Sequence, residues 1–142
     1  MIDTAASTSI VVNPIGWVRS GLTMLDAAPR QPDEGAPPAT LELLTGFEEL
    51  LDGLAVGDRV VVVTWLHRAD RSARTTHPRG DVTRPVAGVF ATRSPDRPNP
   101  IGLHTTTIER IDGARVQVNC LEAVDGTPIL DLKPTLDEVP AR

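Results

Sequence analysis

The chain has no tyrosine and a single cysteine among its 142 residues. One cysteine cannot close an intrachain disulfide, so the fold has to stand on burial alone. Cys120 lies in an alternating run with Val116 and Val118 and is expected to be a small core residue. No apolar run approaches the ~20 residues of a membrane span, and the N-terminus lacks the basic-then-apolar order of a signal peptide. A soluble, cytoplasmic protein without a membrane role is the expectation. Cysteine and histidine spacing offers no metal site, so no metal is expected. Also missing are a glycine-rich dinucleotide fingerprint, a phosphate loop and a serine elbow. No ten-residue helical repeat separates the β-prone runs, which disfavours a doubly wound α/β sheet.

What the chain does contain is short β-prone runs punctuated by glycine and proline. Residues 9–19 (SIVVNPIGWVR) read as an edge or bulged strand, because Pro14 and Gly16 interrupt them. Residues 21–39 hold four prolines and Gly35 and can only be a loop. Residues 39–44 read as a short strand, followed by helical turns over Phe47, Leu50 and Leu51 that end at Gly53. Residues 58–66 (DRVVVVTWL) form a continuous β-branched run, the pattern of a central strand buried on both faces. Two runs, 103–111 and 114–124, meet at Asp112-Gly113, a dipeptide suited to the positive φ of a tight hairpin. Asp125-Gly126 then turns into residues 127–132, stopped by Pro134. The fold class is therefore all-β: a compact β-barrel with one short helix and long loops. Its expected limits are a flexible N-terminal tail over 1–8, one barrel domain over 9–136 and a C-terminal tail over 137–142. A single domain of this length buries roughly two thirds of its unfolded surface.

Residues 88–103 (GVFATRSPDRPNPIGL) organise the rest. An apolar strand with Val86, Val89 and Phe90 leads into Pro95, Pro98 and Pro100, each fixing φ and removing a donor. The stiff loop carries Arg93 and Arg97, whose planar forks suit carboxylate or phosphate. Net charge is −5, yet residues 67–97 hold seven arginines against three aspartates, so a positive region sits in an acidic protein. Polar groups able to converge at strand ends are His67, Arg93, Asp125, Thr127, Asp131 and Lys133. Each has a plainer reading as well. His67 could bond only backbone, Asp125 could be a turn residue, and Asp131 and Lys133 could pair with each other. From the residues alone the reading stops at an anion-binding β-barrel.

Three segments carry a resemblance: GVFATRSPDRPNPIGL, His77-Pro78-Arg79-Gly80-Asp81, and DGTPILDLKP over 125–134. With the strand Ile15-Gly16-Trp17-Val18-Arg19-Ser20 they resemble the TsaA-like, or TrmO, family over nearly the whole chain. The resemblance implies a homodimeric β-barrel methyltransferase that binds S-adenosylmethionine and methylates N6 of threonylcarbamoyladenosine beside the tRNA anticodon. It implies cofactor contacts at Pro29, Arg30, Gln31, His67, Arg68, Arg93, Leu103, Asp125, Gly126, Thr127 and Pro128. An acceptor nitrogen of urea type needs its proton drawn off, for which Asp131, Asp125 and His67 are the candidates. Arginines within 68–84 would hold the threonyl carboxylate or tRNA phosphates. The chain departs from the family pattern at Gly57-Asp58, where Ser-His is usual, at Glu122, where aspartate is usual, and at Thr135, where tyrosine is usual. Two alternatives stay open: methylation of a small molecule on the same barrel, and a non-catalytic module that only binds S-adenosylmethionine.

Overall fold

The computed structural model describes residues 8–23 and 35–136. Its strands are β1 (Gly16–Arg19), β2 (Ala39–Leu43), β3 (Arg59–Trp65), β4 (Thr75–Thr76), β5 (Ala87–Gly88), β6 (Ile101–Asp112), β7 (Arg115–Val118) and β8 (Pro128–Pro134). Six of them close a barrel in the order β1-β2-β7-β6-β3-β8, and β4 pairs with β5 apart from it. All neighbours in the ring are antiparallel. It follows that β1, β3 and β7 run out at the end where β2, β6 and β8 begin. The segments 20–23, 35–38, 66–100 and 119–127 therefore gather at one rim, while 44–58 and the tight β6–β7 turn lie at the other.

The interior is mostly apolar: Val18, Leu41, Val60, Val62, Ile108, Val116, Val118 and Ile129 are all but inaccessible. Each such side chain contributes about 1.5–3 kcal/mol by leaving water. On neighbouring β3 and β6 this lining is interrupted by buried polar side chains, Thr64, His104 and Thr106, of which Thr64 lies nearest the loop-bearing rim. Gly16 lets β1 and β2 approach closely, since a Cβ there would fall against the Glu42 carbonyl oxygen and Leu43 Cα.

Several elements are shorter than the sequence implies. β1 begins at Gly16, because Pro14 has no donor and Ile10, Val11 and Val12 lie exposed. The helical turns after β2 are one 3₁₀ turn, Glu48–Leu51, in which Leu51 is buried and Leu50 exposed. Gly46 and Gly53, both at positive φ, leave too few residues for an i→i+4 series. β3 is central, but its burial alternates, and Val61, Val63 and Trp65 on the outer face are half-buried. The apolar strand before the proline loop is only Ala87–Gly88, followed by a 3₁₀ turn over Val89–Ala91 that exposes Phe90. β7 stops at Val118: the Asn119 amide still donates to the Thr107 carbonyl, but the Thr107 N–H is taken by the Asn119 side chain instead of its carbonyl. Cys120 is accordingly half-buried beyond the strand end rather than in the core, with its thiol 3.3 Å from Asn119 Oδ1.

Candidate functional site

The last residues of β3 are flanked on both sides. Val63 pairs with Leu103 of β6 and with Asp131 of β8; Thr64 pairs with Gly102 and Ile129, the β8 register shifting by a bulge. Residues paired in this way share a face, so Leu103, Val63 and Asp131 form a row on the outer wall. The row spans two interstrand gaps, roughly 10 Å. Just past the end of β3, at the rim above this row, stand His67 and Arg68. Partial burial of the ring, and secondly the Arg68 charge, hold the His67 imidazole below its ordinary value of 6.5.

The loops are tied to this wall by named bonds. Arg93 Nη2 donates to the Leu103 carbonyl at 3.2 Å, leaving the rest of its fork for an acceptor. The Asp125 amide donates to Leu22 O at 2.6 Å and its Oδ1 accepts from Ser20 N at 3.0 Å. Arg68 Nη1 donates to Thr23 O at 3.0 Å. Arg68 and Asp125 thus both brace the 20–23 segment. Pro29, Arg30 and Gln31 follow that segment and lie outside the described residues, as do the two predicted tails apart from Thr8. Gly126, at φ +83, turns the chain and donates to Val18 O. Thr127 is buried, its hydroxyl spent on Val124 O at 2.7 Å. Asp131 pairs with Lys133 at 3.2 Å and accepts from Leu132 N, so the two-apart ion pair forms.

The proline loop and the start of the 66–100 connection are knitted together. Asp96 Oδ1 accepts the Asp70 amide at 2.8 Å, and Arg71 donates to Pro98 O and Asn99 Oδ1. Arg97 donates to Thr92 O and Ser94 O. Both guanidinium groups also lie over rings, Arg71 at 5.0 Å from the Trp65 centroid and Arg97 at 6.0 Å from that of Phe90. The outcome is a fixed basic surface with an exposed aromatic ring on it.

Behind the outer wall lies a polar group that sequence reasoning missed. Thr64 Oγ1 is 2.6 Å from His104 Nε2, and His104 Nδ1 is 2.5 Å from Glu122 Oε1. A signal for it existed: His104 occupies the inward phase of β6 with Gly102, Thr106 and Ile108. Among the described residues no group of His, Cys, Asp and Glu is placed to hold a metal ion, and no helix is long and apolar enough to cross a membrane.

Residues 17–140 match the family model described as the tRNA-methyltransferase O N-terminal domain. The chain belongs to the TrmO family. Among curated TrmO relatives, a probable S-adenosyl-L-methionine-binding protein of Methanocaldococcus jannaschii is 44% identical over 66% of this chain and 77% of its own. An S-adenosyl-L-methionine-binding protein of Archaeoglobus fulgidus is 35% identical over 92% of both. A crystal structure of TrmO superposes with a TM-score of 0.75 at 36% identity, covering 95% of this chain and 61% of that one. One of TrmO from Pseudomonas aeruginosa gives 0.74 at 36% identity over 95% and 58%. The chain spans about three fifths of the solved TrmO structures it matches.

Proposed function

We propose that this chain is an S-adenosylmethionine-dependent methyltransferase whose acceptor is N6 of threonylcarbamoyladenosine in tRNA, and that it works as a homodimer. One observation carries the reading. Arg93 with Leu103, His67 with Arg68, and the Asp125-to-Pro128 corner all lie at one barrel rim, around the end of β3. The donor set fits the group. Arg93 keeps donors for a carboxylate, and the turn at Gly126 brings backbone N–H and C=O groups to the same rim. When bound, S-adenosylmethionine supplies a methyl group on a positively charged sulfur.

What the chain itself contributes is orientation and a place for a proton. Knitted loops hold their guanidinium groups in advance, so less freedom is lost on binding, and in-line placement supplies much of the acceleration. Of the three candidate bases, Asp131 is engaged by Lys133 and Asp125 by Ser20 N. His67 is held toward its neutral form and stands at the rim, so it is assigned the proton of the acceptor nitrogen. Arg71 and Arg97, stacked on Trp65 and Phe90, suit a single-stranded anionic loop and offset the missing aromatic at Thr135. Exposed Ile101 and Leu103 on the outer face of β6 supply an apolar area for a second copy.

The test is direct. Incubation with labelled S-adenosylmethionine and bulk tRNA, followed by digestion, should yield a methylated threonylcarbamoyl nucleoside. Label in no RNA, with cofactor bound, would overturn the tRNA reading and leave the small-molecule acceptor that the acidic net charge favours or a non-catalytic binding module, which a small-molecule acceptor screen would separate.

A further inference from the structure

The interior group at the loop-bearing rim has features that stability does not account for. Thr64 is inaccessible, His104 is 4% exposed, and the Glu122 side chain is 10% exposed. Carboxylate oxygens accept, so His104 Nδ1–H donates to Glu122 while Nε2 meets the Thr64 hydroxyl. Glu122 Oε2 is buried with no hydrogen-bond partner among the described residues. A half-satisfied buried carboxylate is costly, and two apolar side chains of similar volume would fill the space as well or better.

Its position suggests why it is there. The β6–β7 ladder ends at Ile108–Val118. Past that point, residues 119–127 run on toward β8 beside β6, and what joins them to it is mostly side chains. Thr106 Oγ1 donates to Asn119 Oδ1 at 3.0 Å, and His104 reaches Glu122. Each member of the buried chain sits close in sequence to a rim residue. Thr64 is three residues before His67, His104 follows Leu103, and Glu122 is three before Asp125. Three separate pieces of backbone carrying the proposed site are thus connected through one imidazole.

We propose that Thr64, His104 and Glu122 are positioning residues for the cofactor site, setting the placement of the Asp125 corner relative to Leu103 and the end of β3. This rests on the cofactor reading above. A purely structural group would affect the cofactor only through loss of the fold; a positioning group affects it while the fold persists.

The experiment compares wild type, the apolar double variant His104→Leu/Glu122→Leu and the near-isosteric Thr64→Val. Each is measured by thermal melting, by calorimetric titration with S-adenosylmethionine, and by methyl-transfer kinetics. The double variant is expected to remain folded at the assay temperature while its Kd and KM for S-adenosylmethionine rise on the order of tenfold to a hundredfold. The KM for the acceptor should stay unchanged. Thr64→Val, which loses only the hydroxyl, should show a smaller rise in the same direction, and it decides the matter if the double variant does not fold. Wild-type affinity in a folded variant would overturn the positioning role. Failure of the wild type itself to bind S-adenosylmethionine would overturn the cofactor reading, and this inference with it.

Discussion

Gly102 is the residue at which backbone freedom matters least and space matters most. A Cβ there would stand 2.6 Å from both His104 Nε2 and Thr64 Oγ1, and neither neighbour is the free end of a flexible side chain. Gly102→Ala should therefore destabilise by about 1–3 kcal/mol, as overpacking does, lowering the melting temperature by roughly 2–4 °C per kcal/mol. An unchanged melting curve would show that the buried chain is loosely held. Arg93 poses the opposite case, a side chain fixed by one bond with the rest of its fork unspent. Arg93→Ala should weaken S-adenosylmethionine binding roughly ten- to a hundredfold, the worth of charge-assisted hydrogen bonds, with the melting curve nearly unmoved. Calorimetry on the folded variant checks it. His67 sets a pH dependence whose sign follows from its lowered value. Below 6.5 the unfolded chain takes up this proton before the folded one, so stability falls as pH drops through 6.5 toward the folded value. Above 6.5 the group contributes no slope. Methyl-transfer rate should likewise lose its base below the folded value, and Arg68→Ala, by removing the second cause, should move that acid limb to higher pH. A pH–rate profile with no acid limb would remove His67 from its role.

The connection 66–100 is ordered by short closures rather than by length of strand. Asp70 Oδ1 takes the Ser72 amide and hydroxyl at 2.9 and 2.6 Å, and Asp81 Oδ1 takes those of Thr83 at 2.9 and 2.6 Å. The hydroxyl bonds are the main cause that holds both carboxyls below their ordinary 3.8. Order that depends on a depressed carboxyl is present above 3.8 and is lost as pH falls through the folded value. Amide exchange at residues 72 and 83, corrected for its intrinsic rate, should stay flat down to about pH 4 and rise only below. Replacing Asp70 and Asp81 by alanine should raise it above that pH and leave it unchanged below, where the wild type has already lost the closures. Such closures also mark where sequence reading succeeds. Asp112-Gly113 was legible as a hairpin because Gly113 takes the φ of +59 that its turn demands, and the β-branched run of β3 and the proline loop are equally local signals. The inward phase of His104 could be read along β6, but its partners could not, because they come from β3 and from a segment with no ladder of its own, and no sequence period links them. Glu122 could be seen as a departure from the family pattern, but not as a partner. The lengths of β1 and β7 depended on whether a neighbour was available to pair with, which propensity does not encode.

As a whole molecule, this is an acidic protein for which the proposed function requires a hold on an acidic polymer, and the barrel separates charge between its ends. Net charge is −5, while residues 67–97 at the loop-bearing rim carry seven arginines against three aspartates. Glu48, Glu49 and Asp52 lie in the connection at the opposite rim. Screening confines exposed charges to about 8–10 Å at physiological salt, less than the length of the barrel wall, so an approaching tRNA responds to the near end rather than to the total. Affinity should then fall steeply with salt, and Arg74→Ala together with Arg84→Ala should reduce the slope of log K against log salt by about 0.7–0.9 for each phosphate no longer neutralised. Glu48→Gln with Glu49→Gln changes the net charge by the same amount in the opposite direction, yet should leave both affinity and slope nearly unaltered. Filter-binding across a salt series separates the two pictures: if neutralising the distant glutamates strengthened binding as much as removing the arginines weakened it, net charge rather than the basic rim would govern recognition.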